Sequence, residues 1–156
     1  MILFLDIENT LIDNLSNRNW LEHNCVKIKQ FIENHQIEMV HIYTWGWKTP
    51  NEVDKNLINK IYKILNVKTE NRGWCLTKEN AVDFSIVCGH IKEEDKSIAM
   101  SPGMMKEKFA LDKPIVFLLM TKHYREEGQK VVLIDDTTET NFYSYKNAIT
   151  INPIDL

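Results

Sequence analysis

The chain lacks the sequence features that mark disulfide-rich, zinc-binding, secreted and membrane-spanning proteins. Its three cysteines are odd in number and lack metal-ligand spacing, so we expect reduced thiols and a cytoplasmic protein rather than a disulfide framework. The five histidines show no metal-ligand spacing either. The apolar start of the chain ends at Asp6, which makes it far too short for a signal peptide, and no run is long enough to span a membrane. We therefore expect no membrane partner.

Neither charge nor composition points to a specialised class. The formal net charge of −3 provides no general nucleic-acid footprint, so binding to nucleic acid stays open but is not indicated. Apolar residues make up 44% of the chain and charged residues 26%, which is ordinary for a globular protein. No linker, repeat or low-complexity block interrupts the 156 residues. These features predict one domain over residues 1–156 and carry no signal for an oligomeric state.

The most informative stretch lies at the start, where the apolar residues Ile2 to Leu5 run directly into Asp6 and Glu8. Four apolar residues in a row are typical of a central parallel strand that is buried on both faces. Asp6 would then lie at the carboxyl end of this strand, where open α/β sheets place their ligands. Because side chains alternate along an extended chain, Asp6 and Glu8 would point the same way, with Ile7 opposed.

A second pair of acids follows a second apolar run, near the other end of the chain. Val131 to Ile134 is another run of four apolar residues, and Asp135 and Asp136 come directly after it. Carboxylates that share one cleft repel each other, and a bound cation is the simplest way to keep them ionised. The two strand ends therefore predict one acidic, metal-binding site.

Hydrophobic periodicity predicts the elements that follow the first strand. Apolar residues at helical spacing indicate a helix around residues 20–32, and a strand should follow over Met39 to Tyr43. The segment Thr49 to Glu52 forms a capping box with proline at the first helical position, so we expect a helix that continues to Leu65. Thr44 lies between this strand and this helix, where a hydroxyl and nearby N–H groups would face an anion.

The segment 66–111 is less regular, and two interpretations of one part of it stay open. It must supply a core strand, helices and their connections. The elements that we expect are a helix over 77–88 capped by Thr77 or a strand over 84–88, then a short strand over Ser97 to Met100, a turn at 101–103 and a helix around 105–110.

The next helix begins with a lysine. We expect Asp112 to cap it, Lys113 to lie in its first turn and Gly128 to end it. A lysine at the start of a helix opposes the helix dipole, and this favours a functional role for Lys113. A final strand should cover Ala148 to Ile151.

Four of these elements, in this order, resemble the motifs of the haloacid dehalogenase-like superfamily of phosphoryl-transfer enzymes. The segment Asp6 to Leu11 resembles the first motif, and Ile42 to Thr44, a strand that ends in threonine, resembles the second. Lys113 is similar to the lysine of the third motif, and Asp135-Asp136 is similar to the paired acids of the fourth. In many members a short helix follows the fourth motif, and the resemblance places it after 137–141.

The resemblance implies a Rossmann-like, three-layer α/β/α sandwich with a small cap or none, any small insertion lying within residues 66–111. It also implies an accessible cleft, because the first and second motifs lie close together in the chain and capless members commonly act on large substrates. The substrate would be a phosphorylated small molecule or a macromolecular end, such as a nucleotide, a nucleic-acid end or a phosphoprotein.

The activity that the resemblance implies is Mg²⁺-dependent hydrolysis of phosphate monoesters through an aspartyl-phosphate. Asp6 would be the nucleophile, and Glu8 would be the general acid and base. Thr44 and Lys113 would hold the phosphoryl oxygens. The residues that would bind Mg²⁺ are Asp6, Glu8 through its backbone carbonyl, Asp136, and Asp135 either directly or as an outer partner.

Glu8 departs from the usual pattern of the superfamily. Most of its phosphatases carry Asp at this place, although Glu is similar to what enolase-phosphatases of the methionine salvage branch show. The additional methylene changes the reach of the proton donor. A second hypothesis is therefore a catalytically weakened member that binds phosphate or a nucleotide with Mg²⁺ but without turnover, and a third is phosphoryl transfer to a hydroxyl acceptor.

Several residues also have ordinary structural interpretations. Trp45 and Trp47 would stack on a base or sugar at the cleft mouth, or would pack under a small cap. In this ordinary interpretation, Asp6 and Asp136 are strand-end acids that cap helices, and Asn141 is a helix cap. Glu8 is then a loop charge, Thr44 simply ends a strand, and Lys113 is a solvated surface charge.

Overall fold

The computed structural model describes the backbone of residues 1–156 and every side chain except those of 142–145. Six strands form one sheet in the order β3-β2-β1-β4-β6-β5. Five of them are parallel, and β5 pairs with β6 in the antiparallel sense at one edge. The strands are β1 (Ile2–Leu5), β2 (Met39–Tyr43), β3 (Arg72–Leu76), β4 (Val131–Ile134), β5 (Asn141–Tyr145) and β6 (Ala148–Ile151).

Helices cover both faces of the sheet, as the alternation of buried side chains along β1 requires. Leu3 and Leu5 pack on one face against α1 and α2, while Ile2 and Phe4 pack on the other face against α3 to α6. The fold is therefore a three-layer α/β/α arrangement of the Rossmann-like kind. The helices are α1 (Glu22–Asn34), α2 (Lys55–Ile64), α3 (Lys78–Val87), α4 (Lys96–Met100), α5 (Met104–Phe109), α6 (Lys113–Met120) and α7 (Lys122–Glu126).

The direction in which the strand order runs reverses between β1 and β4. The chain builds outward from β1 through β2 to β3, and it then returns to the other side of β1 with β4. Such a switch point opens a crevice at the carboxyl ends of the two central strands. Leu5 is in register with Ile134, and the Asp6 N–H donates to the Ile134 carbonyl at 3.0 Å. Asp6 and Asp135 therefore lie side by side at this crevice.

The predictions for β1, β2, β4 and β6 are confirmed, because each strand has the expected bounds. The short strand predicted over Ser97 to Met100 is wrong, since Lys96–Met100 forms α4 after a 3₁₀ turn over Glu93–Asp95. For residues 77–88 the helical interpretation holds and the strand over 84–88 does not, because the Thr77 capping box starts α3. The core strand of this segment is β3, which lies at the sheet edge with no fully buried side chain.

The helix predicted from Thr49 to Leu65 is broken near its start. The expected capping box is present, but it closes only a 3₁₀ turn over Pro50–Glu52, and Val53 is extended. The Asp54 side chain then accepts from the N–H groups of Asn56 and Leu57, which makes Asp54 the cap of α2.

Two further boundary predictions are corrected. The helix expected from Asp112 to Gly128 is divided into α6 and α7 at Thr121, whose hydroxyl donates to the Phe117 carbonyl one turn earlier. Within the part of the chain that the structure describes, the only helical segment after Asp136 is the 3₁₀ turn over Pro153–Asp155, which Asn152 caps, so the helix-cap interpretation of Asn141 is wrong. Asn141 instead begins β5. No described helix is both long and apolar enough to cross a membrane.

Candidate functional site

A cleft of about 460 Å³ opens at the carboxyl ends of β1, β2 and β4. Sequence positions more than a hundred residues apart meet there because parallel strands end at one edge of the sheet. The six residues predicted for catalysis or metal binding all line this cleft except Asp135, which lies fully buried beneath it. The lining residues are Asp6, Glu8, Asn9, Thr44, Trp45, Gly46, Lys106, Asp112, Lys113, Pro114, Asp136 and Thr137.

Three carboxylates form the floor of the cleft. One oxygen each from Asp6, Asp135 and Asp136 lies within 4.8 Å of the other two. Asp6 is only 5% exposed, and Asp135 has no exposed surface. The two strand ends therefore converge as the sequence predicts.

Lys113 reaches into this floor from the start of α6. Its Nζ lies 2.5 Å from Asp6 Oδ1 and 2.6 Å from Asp135 Oδ2. Asp112 caps the helix by accepting from the Ile115 N–H at 2.9 Å, and the Tyr43 hydroxyl donates to the Lys113 carbonyl at 3.1 Å. These contacts hold the ammonium in place, which explains why a lysine is retained where the helix dipole disfavours it.

The single ammonium does not balance the three acids. Burial raises the pKa of Asp6 to about 6, even though Lys113 lowers it, and the neighbouring Asp135 raises it further. Burial and Asp135 also raise the pKa of Asp136. Burial lowers the pKa of Lys113, but Asp6 and Asp135 outweigh it and hold that pKa above its ordinary value. The floor of the cleft therefore carries excess negative charge that a further cation would stabilise.

The acids fit a hard divalent cation. Asp135 Oδ1 accepts from the N–H of Thr137 at 2.8 Å and from its hydroxyl at 2.5 Å. The buried Asp135 Oδ2 makes no hydrogen bond of good geometry with the residues that the structure describes. Asp136 is half-buried and lines the cleft. A set of carboxylate oxygens with open space for water on one side suits Mg²⁺.

Glu8 lies apart from the three acids, at the side of the cleft. Its Oε2 accepts from the Leu15 N–H at 3.1 Å, and its Oε1 rests where a side chain on Gly46 would lie. The carboxylate is not one of the oxygens that converge in the floor. The side chain of Glu8 therefore does not join this candidate metal site.

Thr44 and its neighbours form a wall of the cleft. The Thr44 hydroxyl oxygen accepts from the Gly46 N–H at 3.1 Å, which leaves the hydroxyl proton available to an anion. Trp45 lines the cleft, and its buried Nε1 makes no hydrogen bond of good geometry with any side chain that the structure describes. Trp47 is 6% exposed and packs in the core, so for Trp47 the packing interpretation applies.

Sequence reasoning gave no role to five of the lining residues, namely Asn9, Gly46, Lys106, Pro114 and Thr137. Lys106 comes from α5, in the segment with the weakest periodicity. Asn9 has a positive φ of 54°, a conformation that asparagine tolerates better than most residues. That preference within the first motif is the one signal that could have drawn attention to it.

The chain matches no protein-family model, no curated protein and no solved structure. Any functional assignment must therefore come from the arrangement of the cleft itself.

Proposed function

We propose that this protein is a Mg²⁺-dependent phosphate monoesterase of the haloacid dehalogenase-like type. The observation that carries the proposal is the bridging of Asp6 and Asp135 by Lys113 in a cleft that Thr44 also lines. An acid, an ammonium and a hydroxyl around one space provide a nucleophile and two donors for a tetrahedral anion. The order of the four motif-like segments in the chain supports the same assignment.

In the first half of the reaction, a carboxylate oxygen of Asp6 attacks phosphorus in line. The new Asp6 O–P bond forms as the bond to the leaving oxygen breaks, and that oxygen takes the electron pair and a proton from Glu8. Thr44 and Lys113 donate to the equatorial oxygens, where the charge accumulates.

In the second half, water attacks phosphorus and Glu8 accepts its proton. The Asp6 O–P bond breaks, inorganic phosphate leaves, and both carboxyl groups return to their starting states. Splitting one displacement into two easier ones is the advantage of covalent catalysis.

Asp6, Asp136 and the Glu8 carbonyl would hold Mg²⁺, with Asp135 next to them. Asp136 is the better direct ligand of the acid pair because it faces the cleft, while Asp135 is buried and engaged by Thr137 and Lys113. When bound, the ion neutralises phosphoryl charge as a Lewis acid.

The cleft is open rather than covered, which favours a nucleotide, a nucleic-acid end or a phosphoprotein as substrate. Lys106 and Trp45 extend the lining beyond the residues of the reaction, one as a cation and one as an aromatic surface. These two side chains fit a charged or planar group attached to the phosphate.

A panel of phosphorylated nucleotides, sugars, peptides and DNA or RNA ends tests the proposal, with and without Mg²⁺. We expect phosphate release that requires Mg²⁺ and disappears in Asp6→Asn. Binding of panel members without phosphate release would instead support the weakened, non-hydrolytic protein. Product analysis in the presence of added alcohols separates hydrolysis from transfer to a hydroxyl acceptor.

A further inference from the structure

Glu8 is one methylene longer than aspartate, and the structure has a specific place for that length. Its carboxylate extends from the turn after β1 to the loop after β2. One oxygen, Oε2, accepts from the Leu15 N–H at 3.1 Å. The other oxygen, Oε1, lies against the backbone of Gly46.

Gly46 makes room for this carboxylate because it has no side chain. A Cβ built on Gly46 would overlap Glu8 Oε1 and would lie 2.8 Å from Leu15 Cδ1 and 3.0 Å from Glu8 Cδ. Gly46 is not among the residues with positive φ, so the backbone itself does not require glycine at this position. What requires glycine is the close approach of Glu8.

The Gly46 backbone also connects Glu8 to the phosphate-binding wall. Its N–H donates to the Thr44 hydroxyl oxygen at 3.1 Å, so the same residue orients Thr44 and receives the Glu8 carboxylate. A displaced Glu8 would change the position of the proton donor relative to Thr44 and Asp6.

We propose that Gly46 and the Leu15 N–H form a seat that positions the Glu8 carboxylate, so that glutamate at position 8 and glycine at position 46 are a matched pair. The inference rests on the proposed function, because it assigns Gly46 and Leu15 as positioning residues for the acid and base of that reaction. It also explains how this chain accommodates glutamate where aspartate is usual.

Replacing Gly46 should displace side chains rather than unfold the protein. Gly46 is exposed, and every atom that a new Cβ would approach lies near the end of a flexible side chain. The carboxylate of Glu8 would move out of its seat at little cost in stability.

The first test compares Gly46→Ala, Glu8→Asp and the double variant, with Asn51→Ala as the control on an exposed residue of the same loop. The probes are glycerol 2-phosphate, whose alkoxide needs a proton, and p-nitrophenyl phosphate, whose phenolate does not, both with Mg²⁺. We expect Gly46→Ala to lower kcat/KM for glycerol 2-phosphate about 100-fold, the size of a general-acid contribution. The loss for p-nitrophenyl phosphate should be clearly smaller.

The shorter acid should remove the conflict. We expect Glu8→Asp to lower kcat/KM for glycerol 2-phosphate about tenfold, and adding Gly46→Ala to it should cause no further loss. The double variant would then be more active than Gly46→Ala alone. Losses that multiply in the double variant, or equal losses on both probes, would overturn the proposal.

A second readout does not depend on activity. In NMR spectra at fixed pH, the chemical shift of the Leu15 amide proton should change in both Gly46→Ala and Glu8→Asp, because each substitution takes the Glu8 carboxylate away from the Leu15 N–H. The shift should stay unchanged in Asn51→Ala. If the wild-type protein is inactive on both probes but these shift changes occur, the proposed phosphatase function is refuted and the proposed seat for Glu8 stands. If the protein is an active phosphatase but the Leu15 amide shift does not change in Gly46→Ala, the proposed function stands and the proposed seat for Glu8 is refuted.

Discussion

The floor and the mouth of the cleft are built in different ways. The floor consists of the three acids Asp6, Asp135 and Asp136 with the Lys113 ammonium. It is largely buried and is held by two central strands and the first turn of a helix. The mouth, defined as Glu8, Asn9, Gly46 and Lys106, consists of partly or fully exposed residues, all outside the sheet. The floor concentrates charge that the fold must balance, whereas the mouth depends on single contacts and available space.

This difference predicts different consequences of mutation. A change in the floor alters both folding and chemistry, because buried charges lose or gain partners. A change in the mouth alters chemistry or substrate binding alone, since exposed groups contribute little to stability.

The largest expected effect on turnover comes from Asp6→Asn. Phosphate release should fall to the background level because an amide cannot form the covalent intermediate. Without Mg²⁺ at pH 7, the free energy of unfolding of this variant should equal or exceed that of the wild type. The raised pKa of Asp6 means that its negative charge disfavours the folded state at this pH, and the substitution removes that charge. Parallel turnover and urea-unfolding measurements check this, and an active variant would remove Asp6 as nucleophile.

The largest loss of stability should come from Lys113→Met, which keeps the length of the side chain but removes the charge. Two buried carboxylates then lose their partner, and the free energy of unfolding without Mg²⁺ should fall by about 3–5 kcal/mol. Lys106→Met at the mouth is the matched control and should change it by less than about 0.5 kcal/mol. Equal effects of the two substitutions would erase the distinction between floor and mouth.

Mg²⁺ should stabilise the floor in a pH-dependent way. Without Mg²⁺, the raised pKa of Asp6 contributes stability that is fully present below pH 3.8 and is lost as the pH rises through about 6. The raised pKa of Asp136 acts in the same direction. Mg²⁺ requires the ionised acids, so at a hundredfold excess over Kd it should add about 2.7 kcal/mol at pH 7.5 and much less at pH 5. Thermal unfolding with Mg²⁺ or with EDTA at both pH values measures this, and an effect independent of pH would contradict the proposed ligands.

The smallest effect should follow Lys106→Met when turnover is measured. An exposed cation at the mouth contributes below about 1 kcal/mol to binding an anionic substrate, so KM should rise only a few-fold and kcat should hold. Increasing the salt concentration should remove most of the difference between wild type and variant. A large fall in kcat would place Lys106 among the groups that act on the reacting atoms.

Sequence reasoning reached the floor of the cleft because its elements are the most strongly patterned. The runs Ile2–Leu5 and Val131–Ile134 are apolar because both of their faces are buried, and the acids after them meet wherever two such strands pair. Lys113 was found by a separate argument, because a lysine at the start of a helix is unfavourable unless it has a function there.

The parts that sequence reasoning missed depend on contacts between distant or half-exposed residues. The edge strand β3 contains Gly73 and the 70%-exposed Trp74, so it lacks an apolar run. The break between Pro50–Glu52 and α2 depends on Asp54 competing successfully as a cap. The seat of Glu8 joins residues 8, 15 and 46, and no local pattern connects them.

The most direct measurement is to trap the covalent intermediate. The protein is mixed with Mg²⁺ and the most active substrate of the panel, quenched in acid during turnover, and digested for mass spectrometry. A phosphoryl group on Asp6 that is lost with hydroxylamine, and is absent without Mg²⁺, is the predicted result. Turnover that leaves no label on Asp6, or a label on any other residue, would contradict the proposed mechanism.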